Sequence, residues 1–365
     1  MSILLNLYHF SIFLFIFGIL IVVHEFGHFI AAKRTGVRVE KFSVGLGRPL
    51  FKKRKGDTEY CLSAVPFGGF VKLAGDSLEE CVGKPDEYLA QSPGKRFWII
   101  FSGPVLNYIL AFLVFWAIFF TGLPVLTTKI GALLDDYGAK AAGLEPGDKI
   151  LAVDGKEVRF FEDLQKFVQD KKEAETVELL VSRGREEFKR EVMVRQKEVQ
   201  DHLGKKHSIG LIGIVPADEV VIVRHGPLES IALGAKRTWD LTILTYKGLW
   251  GMITGKLSIR ESMTGPLGIY DITSKAARRG VSAVLHLVAV LSLSLAIFNL
   301  LPLPILDGGH ILFLGLEKLR GKALGVTAER LITRIGVSLI IFLAVFISYN
   351  DIMRLFGDKI SKLFR

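Results

Sequence analysis

The sequence predicts a multi-span α-helical membrane protein with about four transmembrane helices, a membrane-associated β-hairpin region and one inserted β-rich domain. Half of the 365 residues are hydrophobic and the mean hydropathy is +0.38, which is more apolar than soluble globular chains usually are. Four apolar stretches, at residues 3–32, 97–123, 283–306 and 331–348, approach or exceed the length of about 20 residues that crosses a bilayer. The lipid bilayer is therefore the first partner we expect.

The chain is basic, with a formal net charge of +10 and a pI near 9.4. Its basic residues concentrate beside the apolar stretches, which is the positive-inside bias of membrane proteins. We therefore expect no nucleic-acid partner. The two cysteines, Cys61 and Cys81, form no Cys-x-x-Cys motif, and we expect free thiols on the cytoplasmic side.

Residues 1–34, the predicted first transmembrane helix, contain the pattern His-Glu-x-x-His at positions 24–28. Residues four apart lie on one face of a helix, so His24 and His28 can hold one metal ion, with Glu25 beside it as a general base. A polar cap at the water interface is the alternative, but it poorly explains two histidines at this spacing. Ionisable groups in a span are rare and indicate function.

The charges around the first span predict its orientation. No basic residue precedes the span, whereas Lys33 and Arg34 follow it directly. The positive-inside rule then places the N-terminus outside and places His24 and His28 toward the cytoplasm.

Residues 35–96 are predicted to form a cytoplasmic, membrane-associated β region. Residues 40–50 and 59–73 carry strand-like patterns with glycines, and the basic turn 52–57 separates them. This arrangement indicates β-hairpins. A sheet edge beside a membrane site can receive an extended substrate by strand addition, although a plain cytoplasmic hairpin fits the same pattern.

The second predicted span, residues 97–123, contains Pro104 and Asn107. A proline in a span frees backbone groups, and an asparagine adds a hydrogen-bonding side chain. We assign Asn107 an auxiliary role. The alternative is that this stretch serves only helix–helix packing through its small residues.

The chain between the second and third spans is predicted to form two periplasmic parts. Residues 124–224 contain a turn, strand and turn at 143–155 and two alternating strands at 177–182 and 187–194, which predict a β-rich domain and following strands. Residues 225–282 include a stretch with five charges and interfacial aromatic residues, which favours an amphipathic segment on the membrane surface.

The third predicted span covers residues 283–310, the fourth covers 331–350, and a tail follows at 351–365. Pro302 and Pro304 break the third helix near its cytoplasmic end. If the segment at 225–282 does not cross the membrane, Asp307 lies on the same side as His24.

A catalytic zinc usually has three protein ligands plus water, so the two histidines need a third partner. Asp307 is our candidate because it ends an apolar span and helix-breaking residues flank it. It can instead be the N-cap of the next helix, and His310 is a rival ligand. Zinc lowers the pKa of bound water to about 7, and Glu25 can take that proton and deliver it to a leaving amine.

Asn299 lies in the third span, where it can donate to a substrate backbone or to a developing oxyanion. An interhelical hydrogen bond is the alternative. We group it with other residues in a substrate-binding or auxiliary set: Asn299, Asn107, Pro302 and Pro304.

These motifs resemble the site-2 proteases, in particular the bacterial RseP-type branch with a PDZ domain. The resemblance rests on His24 to His28 and on residues 299–309. Residues 102–107, 66–72 and 264–269 match further motifs, and residues 141–155 resemble the PDZ core of this branch.

The resemblance implies that His24, His28 and Asp307 bind Zn²⁺, that Glu25 is the catalytic base and that Asn299 assists. It also implies a zinc-dependent intramembrane endopeptidase that cuts single-span membrane proteins within or near their transmembrane segments. This is the second step of regulated intramembrane proteolysis, for example of an anti-sigma factor. The implied location is the bacterial inner membrane, with a periplasmic PDZ domain and an active site toward the cytoplasm.

The chain departs from that family at two points. Only one PDZ domain fits between the second and third spans, whereas some members have two, and Ser294 stands where some members have an asparagine. A second hypothesis is a membrane-tethered PDZ binding protein without proteolytic activity, against which the intact Glu25 and three ligand candidates argue. A transporter is a third, and four spans without paired broken helices argue against it.

Overall fold

The computed structural model describes residues 2–200, 206–321 and 325–363. Parts of the predicted first span, inserted domain and tail (residues 1, 201–205 and 364–365) lie outside the described residues, as do residues 322–324. The helices are α1 (Ser2–Thr35), α2 (Pro93–Thr121), α3 (Gly138–Ala141), α4 (Phe161–Gln169), α5 (Pro227–Ile253), α6 (Ile259–Ser262), α7 (Pro266–Arg279), α8 (Val281–Asn299), α9 (Asp307–Arg320) and α10 (Val326–Leu363).

Two long strands lie between α1 and α2, and ten shorter strands lie between α2 and α5. They are β1 (Val39–Lys55), β2 (Thr58–Leu73), β3 (Leu123–Leu126), β4 (Ile130–Leu133), β5 (Lys149–Val153), β6 (Lys156–Glu157), β7 (Thr176–Arg183), β8 (Glu186–Met193), β9 (Arg195–Gln200), β10 (Lys206–Leu211), β11 (Ile214–Pro216) and β12 (Val220–Val223).

The chain divides into two compact units. The membrane unit comprises Met1–Ile118, Ile231–Tyr246 and Ile259–Arg365, and the inserted unit comprises Phe119–Ser230 and Lys247–Ser258. Each is described separately below.

Four helices are long and apolar enough to cross a membrane within the described part of the chain: α1, α2, α8 and α10. The basic residues Lys33 and Arg34 fall in the last turn of α1, where positive charge favours the helix dipole. Pro93 starts α2, a position at which proline costs no helical hydrogen bond. Each predicted span therefore contains one of these helices, although the third of them, α8, ends at Asn299, before the predicted end of its span at residue 310.

The strands β1 and β2 pair antiparallel, but several irregularities divide the ladder. Gly45 and Gly47 have positive φ angles of 87° and 83°, which glycine adopts at little steric cost. The chain therefore bends within β1, and Ser43 pairs both with Phe70 and with Cys61. The first half of β1 lies between the two halves of β2, which leaves residues 69–73 as an outer strand.

The inserted unit is built around a four-stranded antiparallel sheet in the order β6-β5-β7-β8. The alternating burial of β7 places Val177, Leu179 and Val181 in the core, as a half-buried strand requires. The helix α4 contributes Leu164 and Val168 to the same core. The pairs β3–β12, β4–β11 and β9–β10 complete the unit.

The fold class predicted from the sequence is confirmed: a multi-span helical protein with a β-hairpin region and one inserted β-rich domain. Residues 225–282 form α5, α6 and α7. The long helix α5 carries Lys236, Arg237, Asp240 and Lys247 and is not among the four candidate spans found in the described residues.

Candidate metal centre

The helix α1 places the two histidines of the His-Glu-x-x-His pattern one above the other. Their ring centroids are 4.8 Å apart, and the two Nε2 atoms approach to 3.2 Å. His24 is buried, and the side chain of His28 is only 14% exposed. The i, i+4 spacing thus directs both Nε2 atoms at one point, as the pattern predicts.

Asp307, which is far from the histidines in the sequence, lies beside both Nε2 atoms. Its Oδ2 atom lies 3.1 Å from Nε2 of His24 and 3.7 Å from Nε2 of His28. Asp307 is the first residue of α9, and Leu306 occupies the N-cap position, so the N-cap alternative does not describe it. The rival His310 is exposed and its ring contacts Phe313.

Two glycines allow α9 to start so close to the end of α8. A Cβ atom on Gly308 would lie 2.3 Å from the carbonyl oxygens of Leu300 and Leu301, and one on Gly309 would lie 2.1 Å from that of Leu303. No side chain fits at these distances. The Asp-Gly-Gly sequence is therefore a packing requirement that brings the Asp307 carboxylate against α1.

The helix α2 crosses α1 directly beside the histidines, through glycine on both helices. A Cβ atom on Gly27 would lie 2.3 Å from the carbonyl oxygen of Ser102, and one on Gly103 would lie 2.4 Å from Nε2 of His28. Small residues of this kind permit close helix crossings in membranes.

The backbone of α2 also fixes the tautomer of one histidine. The Nδ1 atom of His28 lies 2.8 Å from the carbonyl oxygen of Ile99. A carbonyl only accepts, so Nδ1 carries the proton and Nε2 of the neutral imidazole has a free lone pair. A histidine held in this way is a prepared metal ligand.

The three side chains fit a zinc ion by their donor set and their spacing. Their ligand atoms all lie within 4.8 Å of one another. Tetrahedral zinc with bonds of about 2.0–2.1 Å separates its ligand atoms by about 3.3 Å, and the observed separations are 3.1, 3.2 and 3.7 Å. The Oδ2 atom of Asp307 is also buried without a hydrogen-bond partner in the described residues, which a cation would satisfy.

Glu25 lies between the ligands and the outer strand of the β region. Its carboxylate accepts a hydrogen bond from the backbone N–H of Val71. A Cβ atom on Gly69 would lie 3.3 Å from Cγ of Glu25 and 2.9 Å from the carbonyl oxygen of Ser43. The glycine therefore lets the strand pass close to the carboxylate, which leaves Glu25 beside both the candidate ligands and a sheet edge.

An ion pair holds α9 against the start of α2. Arg96 and Glu317 approach to 2.5 Å, and both side chains are largely buried. The neighbouring Tyr88 packs against Ala32, Val37 and other apolar residues. Its burial raises the pKa of the phenol, so Tyr88 stays protonated and uncharged at neutral pH.

The auxiliary residues fall into two groups. Asn107 is fully buried, with its amide nitrogen 3.4 Å from Nδ1 of His24. Asn299 is the last residue of α8, is partly exposed, and its side chain makes no hydrogen bond within the described residues. Pro302 is exposed, whereas Pro304 lies against Gly336 of α10. Of this set, the structure therefore brings only Asn107 against a candidate ligand, His24.

Sequence reasoning included Gly103 only in a run of small residues that could serve helix packing, and it gave no role to Ser292. The hydroxyl of Ser292 donates to the backbone carbonyl of Asn107 at 2.8 Å and is buried, which ties α8 to α2 at the level of the site. The available signal was the run Ser102-Gly103-Pro104 inside an apolar span, because small residues there indicate a close helix crossing.

Comparisons with known protein sequences point to one family of proteases. The profile of peptidase family M50 matches residues 12–343. A protein of Agrobacterium fabrum, named by prediction as a zinc metalloprotease, is 34% identical over 94% of this chain and 96% of its own length. The regulator of sigma-W protease RasP of Bacillus subtilis is 29% identical over 94% of this chain and 98% of its own length.

The regulator of sigma-E protease RseP of Escherichia coli is also 29% identical, over 93% of this chain and 97% of its own length. Among solved structures, the PDZ domain of an SdrC-like protein from Listeria innocua is 20% identical, covers 26% of this chain and 96% of that chain, and has a TM-score of 0.21.

The predicted activity of a zinc metalloprotease in intramembrane proteolysis, with Zn²⁺ as its cofactor, agrees with these relatives. The family profile spans most of the chain, including His24, Glu25, His28 and Asp307. The chain therefore belongs to peptidase family M50, the zinc-dependent site-2 proteases.

Proposed function

We propose that this protein cuts single-span membrane proteins within or near their transmembrane segments, as the second step of regulated intramembrane proteolysis. The observation that carries the proposal is the convergence of His24, His28 and Asp307 beside Glu25 at the end of an apolar helix. Relatives named as proteases that regulate sigma-W and sigma-E support an anti-sigma factor as the substrate.

In this proposal, His24, His28 and Asp307 are the residues that would hold a zinc ion. When bound there, zinc supplies a Lewis acid that lowers the pKa of water to about 7. Glu25 accepts the proton of the attacking water and delivers it to the leaving amine nitrogen. The hydrogen bond from Val71 keeps the Glu25 carboxylate in place for both transfers.

The outer strand at residues 69–73 is the proposed docking edge for the substrate. Within the described residues, this strand pairs on one side with residues 39–44, and its Gly69 and Val71 lie beside Glu25. A peptide bond inside a helix is shielded by its own hydrogen bonds, so the substrate must unwind before cleavage. Addition to this edge would hold the unwound segment extended.

We further propose a location in the bacterial inner membrane, with the PDZ domain in the periplasm and the metal centre toward the cytoplasm. Two observations support this orientation. Lys33 and Arg34 end α1 beside the metal centre, and the hairpin between β1 and β2 carries the basic run 52–55. Both placements follow the positive-inside rule.

The Glu25→Gln variant tests the proposal. It removes the proton-accepting carboxylate but leaves the three ligands intact. We expect cleavage of a single-span model substrate in lipid vesicles to fall at least about 100-fold, since a positioned acid–base group contributes about 10²–10⁴-fold. Zinc content should stay at the wild-type level. A matched control is Glu157→Gln, an exposed residue of the inserted unit, which should cleave at the wild-type rate.

Equal cleavage by the wild-type protein and the Glu25→Gln variant would contradict the proposal. No cleavage by either, together with binding of peptide C-termini by the PDZ domain, would favour the alternative of a membrane-tethered binding protein.

A further inference from the structure

Each histidine of the metal centre has a partner on α2 for its second ring nitrogen. The Nδ1 atom of His28 faces the carbonyl oxygen of Ile99 at 2.8 Å, and the Nδ1 atom of His24 faces the side-chain amide of Asn107 at 3.4 Å. The first contact fixes one tautomer. The second does not, because an amide side chain can both donate and accept.

The two orientations of the Asn107 amide correspond to two states of His24. With Nδ2 toward the ring, the amide donates to Nδ1, so the proton of the imidazole sits on Nε2, which lies 3.2 Å from Nε2 of His28 and 3.1 Å from Oδ2 of Asp307. With Oδ1 toward the ring, the amide accepts a proton from Nδ1, and Nε2 presents a lone pair. Only the second state leaves His24 able to bind a metal.

The environment of Asn107 supports this second state. Its side chain is completely buried, and its Oδ1 atom has no hydrogen-bond partner within the described residues. A buried acceptor without a donor costs about 1–3 kcal/mol, and rotation of the amide brings that oxygen to the Nδ1–H of His24. Oxygen and nitrogen of an amide occupy nearly the same volume, so the rotation changes no packing.

The backbone of Asn107 is held independently of its amide. Ser292 of α8 donates its hydroxyl proton to the carbonyl oxygen of Asn107 at 2.8 Å, and Ser292 is itself fully buried. The backbone of Asn107 is therefore held in place on α2, and its side chain lies beside the imidazole of His24.

We propose that Asn107 is a positioning residue for the metal centre, whose Oδ1 accepts the Nδ1–H of His24 and so sets the tautomer that binds zinc. This inference rests on the proposed role of His24 as a ligand. It concerns which ring nitrogen of His24 carries the proton before zinc binds. It assigns Asn107 no contact with the substrate.

The experiment is a zinc-binding titration of the purified full chain in detergent against a chromophoric chelator. The Asn107→Leu variant has a similar volume but no acceptor, and the Asn107→Asp variant keeps the acceptor. We expect Asn107→Leu to weaken zinc binding about 10- to 100-fold, the usual effect of removing a partner of a metal-bound histidine. Asn107→Asp should bind within about threefold of the wild type or more tightly.

Thr273→Ala is the matched structural control, because it removes a buried hydroxyl that donates to the carbonyl oxygen of Ile269 within α7, away from the metal centre. Its zinc affinity should stay close to that of the wild type. If Asn107→Leu does not give folded protein, Asn107→Ser replaces it, because the shorter hydroxyl does not reach His24.

Several results would overturn the inference. One is wild-type zinc affinity in the variant without an acceptor, and another is an equal loss in Asn107→Asp, which would mean that packing alone matters at this position. The proposed function fails separately, if the wild-type chain binds no zinc or if His24→Ala binds it unchanged.

Discussion

Gly103 packs directly against both histidines of the candidate metal centre. A Cβ atom at this position would lie 2.4 Å from Nε2 and 2.5 Å from Cε1 of His28, and 3.0 Å from Cε1 of His24. Both imidazoles therefore lie against the backbone of α2. A methyl group there would have to displace a metal ligand or separate two helices.

We predict that Gly103→Ala lowers zinc affinity at least about 10-fold, because ligand atoms must stay within about 0.2 Å of their ideal distances. The measurement is the same chelator titration, with thermal unfolding of the metal-free protein recorded in parallel. Gly18→Ala is the control, since nothing lies within 4 Å of a Cβ at this position in α1. Wild-type zinc binding by Gly103→Ala would show that the helices separate more easily than the structure indicates.

The residues of the site differ in how far the sequence alone could predict them. His24, Glu25 and His28 belong to one helix, so their spacing was enough to bring them together. Asp307 followed from topology, because only the parity of the spans related it to α1. The fit of Gly103 against His28 was not predictable, since it depends on how closely two helices cross.

At the scale of elements, the end of α10 anchors the start of α7. The carboxylate of Asp351 is fully buried and accepts the backbone N–H groups of Gly265 at 3.2 Å and Gly268 at 2.8 Å. The first N–H groups of a helix have no partner within it, and a negative charge there also favours the helix dipole. Asp351 thus caps a helix more than 80 residues earlier in the chain.

We predict that Asp351→Ala destabilises the protein by about 2 kcal/mol, because two buried N–H groups lose their acceptor. Asp351→Asn, which keeps one acceptor oxygen, should cost less. Thermal unfolding in detergent, combined with hydrogen exchange at residues 265–268, measures both effects. The control is Asp271→Ala, which removes a partly exposed i, i+4 ion pair with Lys275 and should cost under about 1 kcal/mol. An equal cost for Asp351→Ala and Asp271→Ala would refute the capping role.

The inserted unit contains an ion pair that makes its stability depend on pH. Arg183 donates Nε–H to Oδ1 of Asp148 at 2.7 Å and an NH2 proton to Oδ2 at 2.9 Å. These hydrogen bonds from Arg183 lower the pKa of Asp148 below its usual value. A folded-state pKa below the unfolded one, which is about 3.9, stabilises the fold above that value, and the stabilisation is lost as the pH falls through the folded-state pKa.

We predict that Asp148→Asn costs the inserted unit about 2 kcal/mol at pH 6, because Arg183 loses its charged partner. The figure is below the roughly 3–5 kcal/mol of a fully buried pair, since the Arg183 side chain is 38% exposed. Hydrogen exchange of β5 and β7 in the full chain measures the difference between wild type and variant. The difference should shrink below about pH 4; a difference that stays constant from pH 6 to pH 3 would contradict the account.

The elements themselves were largely predictable, and their details were not. An apolar run without charges predicts a membrane helix because burying a charge in lipid is costly, and alternation predicts β7 and β8 because strand side chains alternate between faces. The path of β1 and β2 was not evident from alternation. It depends on Gly45 and Gly47, whose positive φ angles bend the strand.

At the scale of the whole molecule, the proposed orientation makes opposite predictions for two exposed lysines. Lys53 lies near the end of β1, and Lys189 lies in β8 of the inserted unit. In a Cys81→Ser background, a membrane-impermeant maleimide should label Lys189→Cys in intact spheroplasts. It should label Lys53→Cys only after lysis. Labelling of Lys53→Cys in intact spheroplasts would reverse the topology and place the metal centre on the outer side.

The central claim is that side chains from the two ends of the chain hold one zinc ion, and X-ray absorption at the zinc edge of the purified full chain tests it most directly. We predict one zinc per chain, bound by two imidazoles and a carboxylate at about 2.0–2.2 Å. The zinc should be lost in His24→Ala, His28→Ala and Asp307→Ala and retained in His310→Ala. An unchanged zinc spectrum in Asp307→Ala, or loss of zinc in His310→Ala alone, would contradict the account.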